Sequence, residues 1–348
     1  MTIVVEKKRL SELRVSASSL CAIREDTFLA ACKGSSGSDL LLLSVDASKV
    51  ETHEIARVNG SRNFALNYLN GRVFIGVDNM LLGKEKGLWK TLIVSENSEN
   101  VFWHVIASER GVLYAQEYGE PPSNVYTSRN GQEWEILVTV KDLDRTARHF
   151  HCVSYDSYRK MLIATLGDGN CVRISVLPDG DVKWKAVYKG PWQVLPIVVT
   201  KDLVVFGMDS GIADGGLVLW HPEKDQFQVL KLRWETGKNK PIQMSDLRLL
   251  ENGIWLAALS SPRAIIASRD LARWCPILVE QHSTGVNYPM AISEGSKTVA
   301  FTTGERLLVM DKSSLDEMMC SGPFPIHEYK SFLQELVGVA YVLKRRLS

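Results

Sequence analysis

Histidines and carboxylates occur in this sequence at spacings that could do chemistry. His149 and His151 are two residues apart, so on a β-strand both rings leave one face. Arg148 precedes them, and Asp168 and Asn170 follow after a turn and an apolar run. His104, in Phe102-Trp103-His104-Val105-Ile106, occupies a similar point in the preceding stretch. Asp78, Glu117, Asp168 and Asp209 each close an apolar run, with Asn79 and Ser260 at comparable ends; Arg62, Asn63, Gln193 and Tyr288 begin others. Three chemistries are open. Carboxylates and amides could bind sugar hydroxyls, with Tyr288 or Trp192 stacking on a ring. Such a pocket could also be catalytic: two carboxylates suffice for glycoside hydrolysis, and a His/Tyr pair could serve a lyase as base and acid. Alternatively His104, His149 and His151 plus a carboxylate could hold a divalent metal ion, although no cofactor is required. In the third reading the same groups are structural and satisfy buried backbone polar atoms.

Elements that would position these groups repeat along the chain. Ser128-Arg129-Asn130-Gly131-Gln132-Glu133-Trp134 and Ser268-Arg269-Asp270-Leu271-Ala272-Arg273-Trp274 share a Ser-Arg-Asx-x-x-x-Trp pattern, and their tryptophans lie 140 residues apart. Three periods of about 47 residues fit that gap, a length typical of propeller blades. Trp184 and Phe227 supply the intervening aromatics, Trp89 and the turn at Asp46–Glu51 earlier marks, and Asp311–Ser314 a later turn. Within a unit the pattern is strand, turn, strand, loop, strand, turn, strand: Phe150–Tyr155, Met161–Leu166, Cys171–Val176 and Val182–Tyr188 are the clearest set. The second runs, such as Val73–Val77 and Val204–Met208, are almost wholly apolar, as suits strands covered on both faces. The expectation is an all-β, seven-bladed β-propeller over residues 1–322, or a six-bladed one if the last unit is incomplete. Thr2–Val5 is expected to pair into the last blade and remove an open edge. Residues 323–348 carry apolar side chains at three- and four-residue spacing and are expected to form an amphipathic helix, packed on the propeller or docking a partner.

The Ser-Arg-Asn-Gly-x-x-Trp turn resembles the Asp-box, or BNR repeat, of sialidase-like propellers. The matching positions are Ser128, Asn130, Gly131 and Trp134, then Ser268, Asp270 and Trp274, with Asn130 in place of Asp and Leu271 in place of Gly. His149-Phe150-His151 with Tyr155-Asp156, followed by Thr165-Leu166-Gly167-Asp168, is similar to a signature in a microbial branch of that superfamily. The resemblance implies a structural role for the boxes and a ligand site on the opposite face. True sialidases carry a Phe-Arg-Ile-Pro-like motif and an arginine triad, and Arg62 and Arg148 do not make one. The implied function is therefore carbohydrate binding or processing, of hydrolase or lyase type, without sialidase activity. The alternative is a non-catalytic scaffold for a protein partner.

The bulk properties exclude other classes. A net charge of +1 and a pI near 7.6 give no footprint for nucleic acid or an anionic membrane. The six cysteines show no metal-binding spacing, and most sit in apolar runs. With no leader-like segment at Met1–Arg9, the expectation is a reduced, cytoplasmic protein.

Overall fold

The computed structural model describes residues 10–13, 17–34, 39–47, 49, 51–168, 172–190, 192–209, 215–234, 242–261, 263–280, 290–302, 306–321 and 325–328. After β1 (Leu10–Leu13), the chain folds into successive antiparallel four-stranded meanders. These are β2 (Ala17–Arg24) to β5 (Glu51–Asn59) through β3 (Thr27–Lys33) and β4 (Asp39–Asp46); β6 (Leu66–Leu69), β7 (Arg72–Val77), β8 (Met80–Glu85) and β9 (Leu88–Val94); and β10 (Val101–Ala107), β11 (Leu113–Tyr118), β12 (Asn124–Ser128) and β13 (Glu135–Thr139). There follow β14 (His149–Asp156), β15 (Met161–Gly167), β16 (Val172–Pro178) and β17 (Lys185–Lys189); β18 (Val194–Val199), β19 (Val204–Met208), β20 (Gly216–His221) and β21 (Gln226–Trp234); and β22 (Gln243–Leu249), β23 (Trp255–Ser261), β24 (Arg263–Ser268) and β25 (Arg273–Val279). A last sheet contains β26 (Ile292–Glu294), β27 (Thr298–Thr302) and β28 (Leu307–Asp311), and β1 completes it by pairing with β28. Short helices α1 (Val140–Leu143) and α2 (Lys312–Ser321) interrupt the pattern.

The meanders stand side by side because each is apolar on both faces. β15 is buried along its whole length, and Phe28, Phe74, Phe102, Phe150, Phe206 and Phe301 are wholly or almost wholly buried. Each Phe contributes about 1.5–3 kcal/mol by leaving water. Phe74 and Leu81 of one sheet pack on Phe102, Leu113 and Ala115 of the next, and every neighbouring pair shares such a cluster. The series closes, since Phe28 and Val45 of the first meander pack on Ala300 and Val309 of the last sheet. The first strands β2, β6, β10, β14, β18, β22 and β26 touch in that cyclic order around a common axis.

Both tryptophan turns join a third strand to a fourth. Ser128 Oγ accepts from Gly131 N at 2.8 Å, and Asn130 Oδ1 accepts from Gln132 N and Glu133 N at 2.9 Å. Ser268 Oγ accepts from Leu271 N at 2.9 Å, and Asp270 Oδ1 from Ala272 N at 3.0 Å and Arg273 N at 2.8 Å. Gly131 and Leu271 both adopt left-handed backbone, with φ of 70° and 64°. Leu271 is strained there, but its side chain is buried beside the fully buried Trp274, whose Nε1 donates to Leu271 O at 2.7 Å.

Two expectations about the ends change. Thr2–Val5 lies outside the described residues, and Leu10–Leu13 supplies the strand that covers β28. Asp311–Ser314 is not a turn: Asp311 ends β28 and Lys312 begins α2, whose Leu315 and Met319 fill the core beside Ile254 and Met290. Within 323–348, Ile326–Glu328 is a strand rather than helix, β29. It pairs with β21 and β25 at once, because both present free edges there, and so joins the two meanders into one nine-stranded sheet. Residues 329–348 lie outside the described residues.

Asp26 latches the two ends of the ring. Its Oδ1 accepts from Lys297 N, Thr298 N and Thr298 Oγ1, all at 2.8 Å, and its Oδ2 accepts from Ser296 Oγ at 3.1 Å. Burial opposes the charged form, but these donors prevail and hold the carboxyl below its usual range. Asp26→Ala is expected to destabilise the chain by about 2–3 kcal/mol, since hydrogen bonds to a charged acceptor are lost and donors are stranded. Urea denaturation at neutral pH checks this. A folded pKa below the unfolded one means the stabilisation is present above the unfolded pKa and fades as pH falls, so the mutant's deficit should shrink on acidification.

Candidate functional site

First strands line a central cavity of about 280 Å³, bounded by Ser18, Phe64, Trp103, Cys152, Pro196, Asp246 and Arg248 among others. The candidate site lies where β14 begins, just beyond this lining. β14 and β15 run in regular register at His149↔Gly167 and Phe150↔Leu166, and resume at Cys152↔Thr165. His151 is therefore the extra residue of a β-bulge. A bulge re-aims its side chain, and here it turns the His151 ring over Gly167 beside that of His149. The rings stack with centroids 5.2 Å apart. A Cβ on Gly167 would stand 2.0 Å from His151 Nε2 and 2.8 Å from His149 Nε2, so only glycine leaves room for both.

Backbone carbonyls of the flanking sheets hold the two rings. His149 Nδ1 lies 2.9 Å from Gly119 O, and His151 Nδ1 lies 3.3 Å from Val194 O. Asp168, left-handed at φ 57°, brings a carboxylate oxygen 3.7 Å from His149 Nε2 and 3.8 Å from Arg148. Arg148 also pairs with Glu120. Gln193 ties two loops together: its Oε1 accepts from Asp168 N at 3.1 Å and its backbone O from Asp209 N at 3.0 Å. Tyr118 packs on His149 at 4.2 Å and continues through Trp103 to Phe64 as a file of rings.

Desolvation governs the charges. Burial pushes the Asp209 carboxyl up to about 6, with the Asp168 charge adding to the effect. Burial also lowers His149, against the Gly119 carbonyl and Asp168, which favour its charged form. The Tyr118 hydroxyl rises through burial and through the Asp209 and Asp168 charges, which places all three in one electrostatic neighbourhood.

Other residues singled out from sequence lie elsewhere. His104 is not equivalent to either histidine. The bulge in β10 falls at Trp103, so His104 pairs with Gln116 as Cys152 pairs with Thr165. Its Nδ1 lies 3.0 Å from Gln116 Oε1, and Gln116 Nε2 donates to Phe150 O at 2.9 Å, a tie between sheets. Burial lowers His104. Glu117 is offset by two residues from Asp168 in register and is fully buried. It accepts from Asn124 N and Tyr126 Oη, each at 2.9 Å, and burial raises its pKa. Asp78 caps its own loop by accepting from Ser61 N and Arg62 N, and Arg62 donates to Ser98 O and Glu99 O. Asn63 is buried between sheets, donating to Gly76 O at 2.6 Å and accepting from Ser18 Oγ at 3.1 Å. Trp192 packs with Tyr188 in the core. Asn170 and Tyr288 lie outside the described residues. Tyr118 and Glu120 were not anticipated, and Gly167 stood only within the Thr165-Leu166-Gly167-Asp168 signature; an aromatic and a glycine ending successive second strands were the available signals.

Unfolded, Asp209 titrates near 3.8; folded, at about 6. Between these values the folded chain holds a proton that the unfolded chain has released, so stability declines as pH rises through the window. Asp209→Asn should therefore stabilise the fold at about pH 8 by on the order of 1–3 kcal/mol and do little at about pH 4. Paired urea titrations at the two pH values check it.

No protein-family model matches the sequence, and no curated protein sequence matches it. In three dimensions the chain is similar to the extracellular domain of BT4673 from B. thetaiotaomicron, with a TM-score of 0.62 and 12% identity over 88% of this chain, spanning 40% of that one. It is similar to YCF48 bound to D1 peptide, with a TM-score of 0.60 and 13% identity over 87% of this chain and 94% of that chain. The RRP9 WD40 repeats give a TM-score of 0.60 and 12% identity over 87% and 97% of the respective chains. At such identities the likeness bears on fold alone, and with the closed ring of meanders it identifies this chain as a β-propeller.

Proposed function

We propose that the chain is a seven-bladed propeller, sialidase-like in its blade turns, that binds a small polar ligand of the carbohydrate class at the channel mouth. The blades are the six meanders β2–β5 through β22–β25, and a last one of β26–β28 completed by β1. The hydroxyl-and-Asx hydrogen bonding at Ser128–Trp134 and Ser268–Trp274 supports the kinship with Asp-box propellers.

The observation that carries the functional reading is the convergence of Tyr118, Arg148, His149, His151, Asp168 and Asp209 from adjoining sheets on the mouth. Arg148 can donate and the carboxylates can accept, which matches the mixed donor and acceptor character of neighbouring sugar hydroxyls. Burial and the Asp168 charge push the Asp209 carboxyl up to about 6, so the mouth offers two carboxyls in distinct surroundings, a combination that suits glycosidic bond cleavage. Cys21, Cys32, Cys152 and Cys275 are free and buried, which supports a reducing compartment such as the cytoplasm. Among the described residues no helix is long and apolar enough to cross a membrane.

A specific observation favours one second reading, a scaffold for a protein partner. Ile55, Leu88, Val94 and Ile136 are exposed on the outer strands β5, β9 and β13, and YCF48, a fold relative, is solved with a peptide.

A thermal-shift screen of the tag-free chain against oligosaccharides separates the two. A ligand at one hundred times its Kd adds about 2.7 kcal/mol and raises Tm by several degrees. Arg148→Ala and Asp168→Asn should each abolish that shift while leaving the unliganded Tm within a few degrees. A flat screen, or a full shift retained by Asp168→Asn, removes the carbohydrate reading and leaves the scaffold.

A further inference from the structure

We propose that His149, His151 and Asp168 form a binding site for a divalent transition metal ion of the zinc kind, with coordination positions open towards the channel mouth. The proposal rests on reading this end of the channel as functional, and deepens it by naming an inorganic occupant.

The argument starts from hydrogens. A backbone carbonyl oxygen can only accept, so His149 Nδ1, 2.9 Å from Gly119 O, carries its ring's proton, and His151 Nδ1 is directed in the same way at Val194 O. That assigns each neutral ring a lone pair at Nε2. Asp168 adds a carboxylate oxygen, and the ligand atoms of the three residues lie within 4.8 Å of one another. With both Nδ1 atoms protonated, the three ligand atoms that face one another are all acceptors. His149 Nε2 is buried and makes no hydrogen bond, in a residue only 3% exposed. Its 3.7 Å separation from Asp168 is too long for a hydrogen bond, yet close to the spacing of two ligands on one ion. Tetrahedral zinc with bonds of about 2.0–2.1 Å keeps its ligand atoms about 3.3 Å apart.

Surrounding groups suit this role. Metal-binding histidines characteristically donate their second ring N–H to a carbonyl or carboxylate, which fixes tautomer and orientation. Both carbonyl partners here come from neighbouring sheets, so the packing of three blades sets the ring positions. Gly167 keeps clear the space in which both Nε2 atoms sit. Asp168 and Glu120 place more negative than positive charge beside Arg148, which favours a dication. Two imidazole nitrogens and one oxygen select a borderline ion over calcium or magnesium, which prefer oxygen ligands. Three protein ligands leave positions for water or a sugar hydroxyl.

The test is calorimetric titration of the EDTA-treated, tag-free full chain with Zn²⁺, with Co²⁺ absorption as a second readout. One equivalent should bind, with d–d bands of a low-symmetry nitrogen and oxygen site. His149→Gln and Asp168→Asn should each weaken binding at least about tenfold. Asp168 is on an exposed loop, so that variant remains informative should the buried histidine change unfold the chain. His104→Gln, outside the cluster, should bind as the parent does. Absence of a one-equivalent site overturns the proposal, as does equal loss in His104→Gln. If Zn²⁺ binds and no sugar does, the metal site stands and the carbohydrate class falls. If a sugar binds and Zn²⁺ does not, the metal proposal falls alone.

Discussion

Every sheet in this chain is apolar on both faces, and that single constraint forces a ring. A sheet with two greasy faces needs two neighbours, and a linear stack would leave one bare face at each end. Closure covers both. Here it depends on Phe28 and Val45 meeting Ala300 and Val309, on β1 covering the edge of β28, and on Asp26 gathering the donors of residues 296–298. Side chains near residue 26 and residue 298 must meet across almost the whole described chain. The loop entropy of that meeting is offset because all the other sheet interfaces form along the way.

A ring of this kind concentrates polar groups in one place. Side chains between sheets must be apolar, and those along the axis cannot all be, since the first strands converge there with little room. The bulges are the local response. In β2, β10, β14 and β22 the pairing register slips near the start of the strand, at Ser18, Trp103, His151 and Ser245. One architectural irregularity, repeated from sheet to sheet, therefore re-aims a different side chain in each: Ser18, Trp103 and Ser245 line the central cavity, and His151 turns over Gly167. In β14 that side chain is an imidazole, and the facing strand answers with the glycine needed to accommodate it.

Much of the frame was legible in the sequence, and the reason is physical. Trp89, Trp134, Trp184, Phe227 and Trp274 mark the beat because each lies within one residue of the start of a fourth strand, where a broad ring can cover the turn and its sheet. The apolar second strands stood out because burial on both faces removes alternation. Site membership was legible only in part. His149 and His151 were paired by assuming regular alternation, whereas the structure brings them together through a bulge. With the bulges of β10 and β14 aligned at Trp103 and His151, His104 matches Cys152 and Glu117 matches Leu166, so neither reaches the position of the group. Slips of one residue leave no trace in spacing. The strand at Ile326–Glu328 was hidden for a different reason: its partners, β21 and β25, are distant in sequence, and an apolar spacing of three and four says nothing about a free edge elsewhere.

Equivalent positions can still have unequal fates, and the carboxylates show how the mouth becomes chemically lopsided. Asp78, Asp168 and Asp209 follow second strands at matching points, and the Asp78 and Asp168 backbones are both left-handed. Asp78 spends its oxygens on Ser61 N, Ser61 Oγ and Arg62 N, so its charge is consumed in holding a loop. The loop of Asp168 is held instead by Gln193, whose side-chain oxygen takes the Asp168 amide and whose backbone oxygen takes that of Asp209. A neutral amide thus holds the Asp168 loop, where a carboxylate holds the loop at Ser61 and Arg62. It releases the Asp168 carboxylate to face His149 and Arg148, and lets Asp209 sit buried with a raised pKa beside it. Polarity at the mouth is gathered on the β14 side because the loop of Asp168 is tied by an uncharged residue, which leaves Asp168 facing His149 and Arg148, with Arg148 also paired to Glu120.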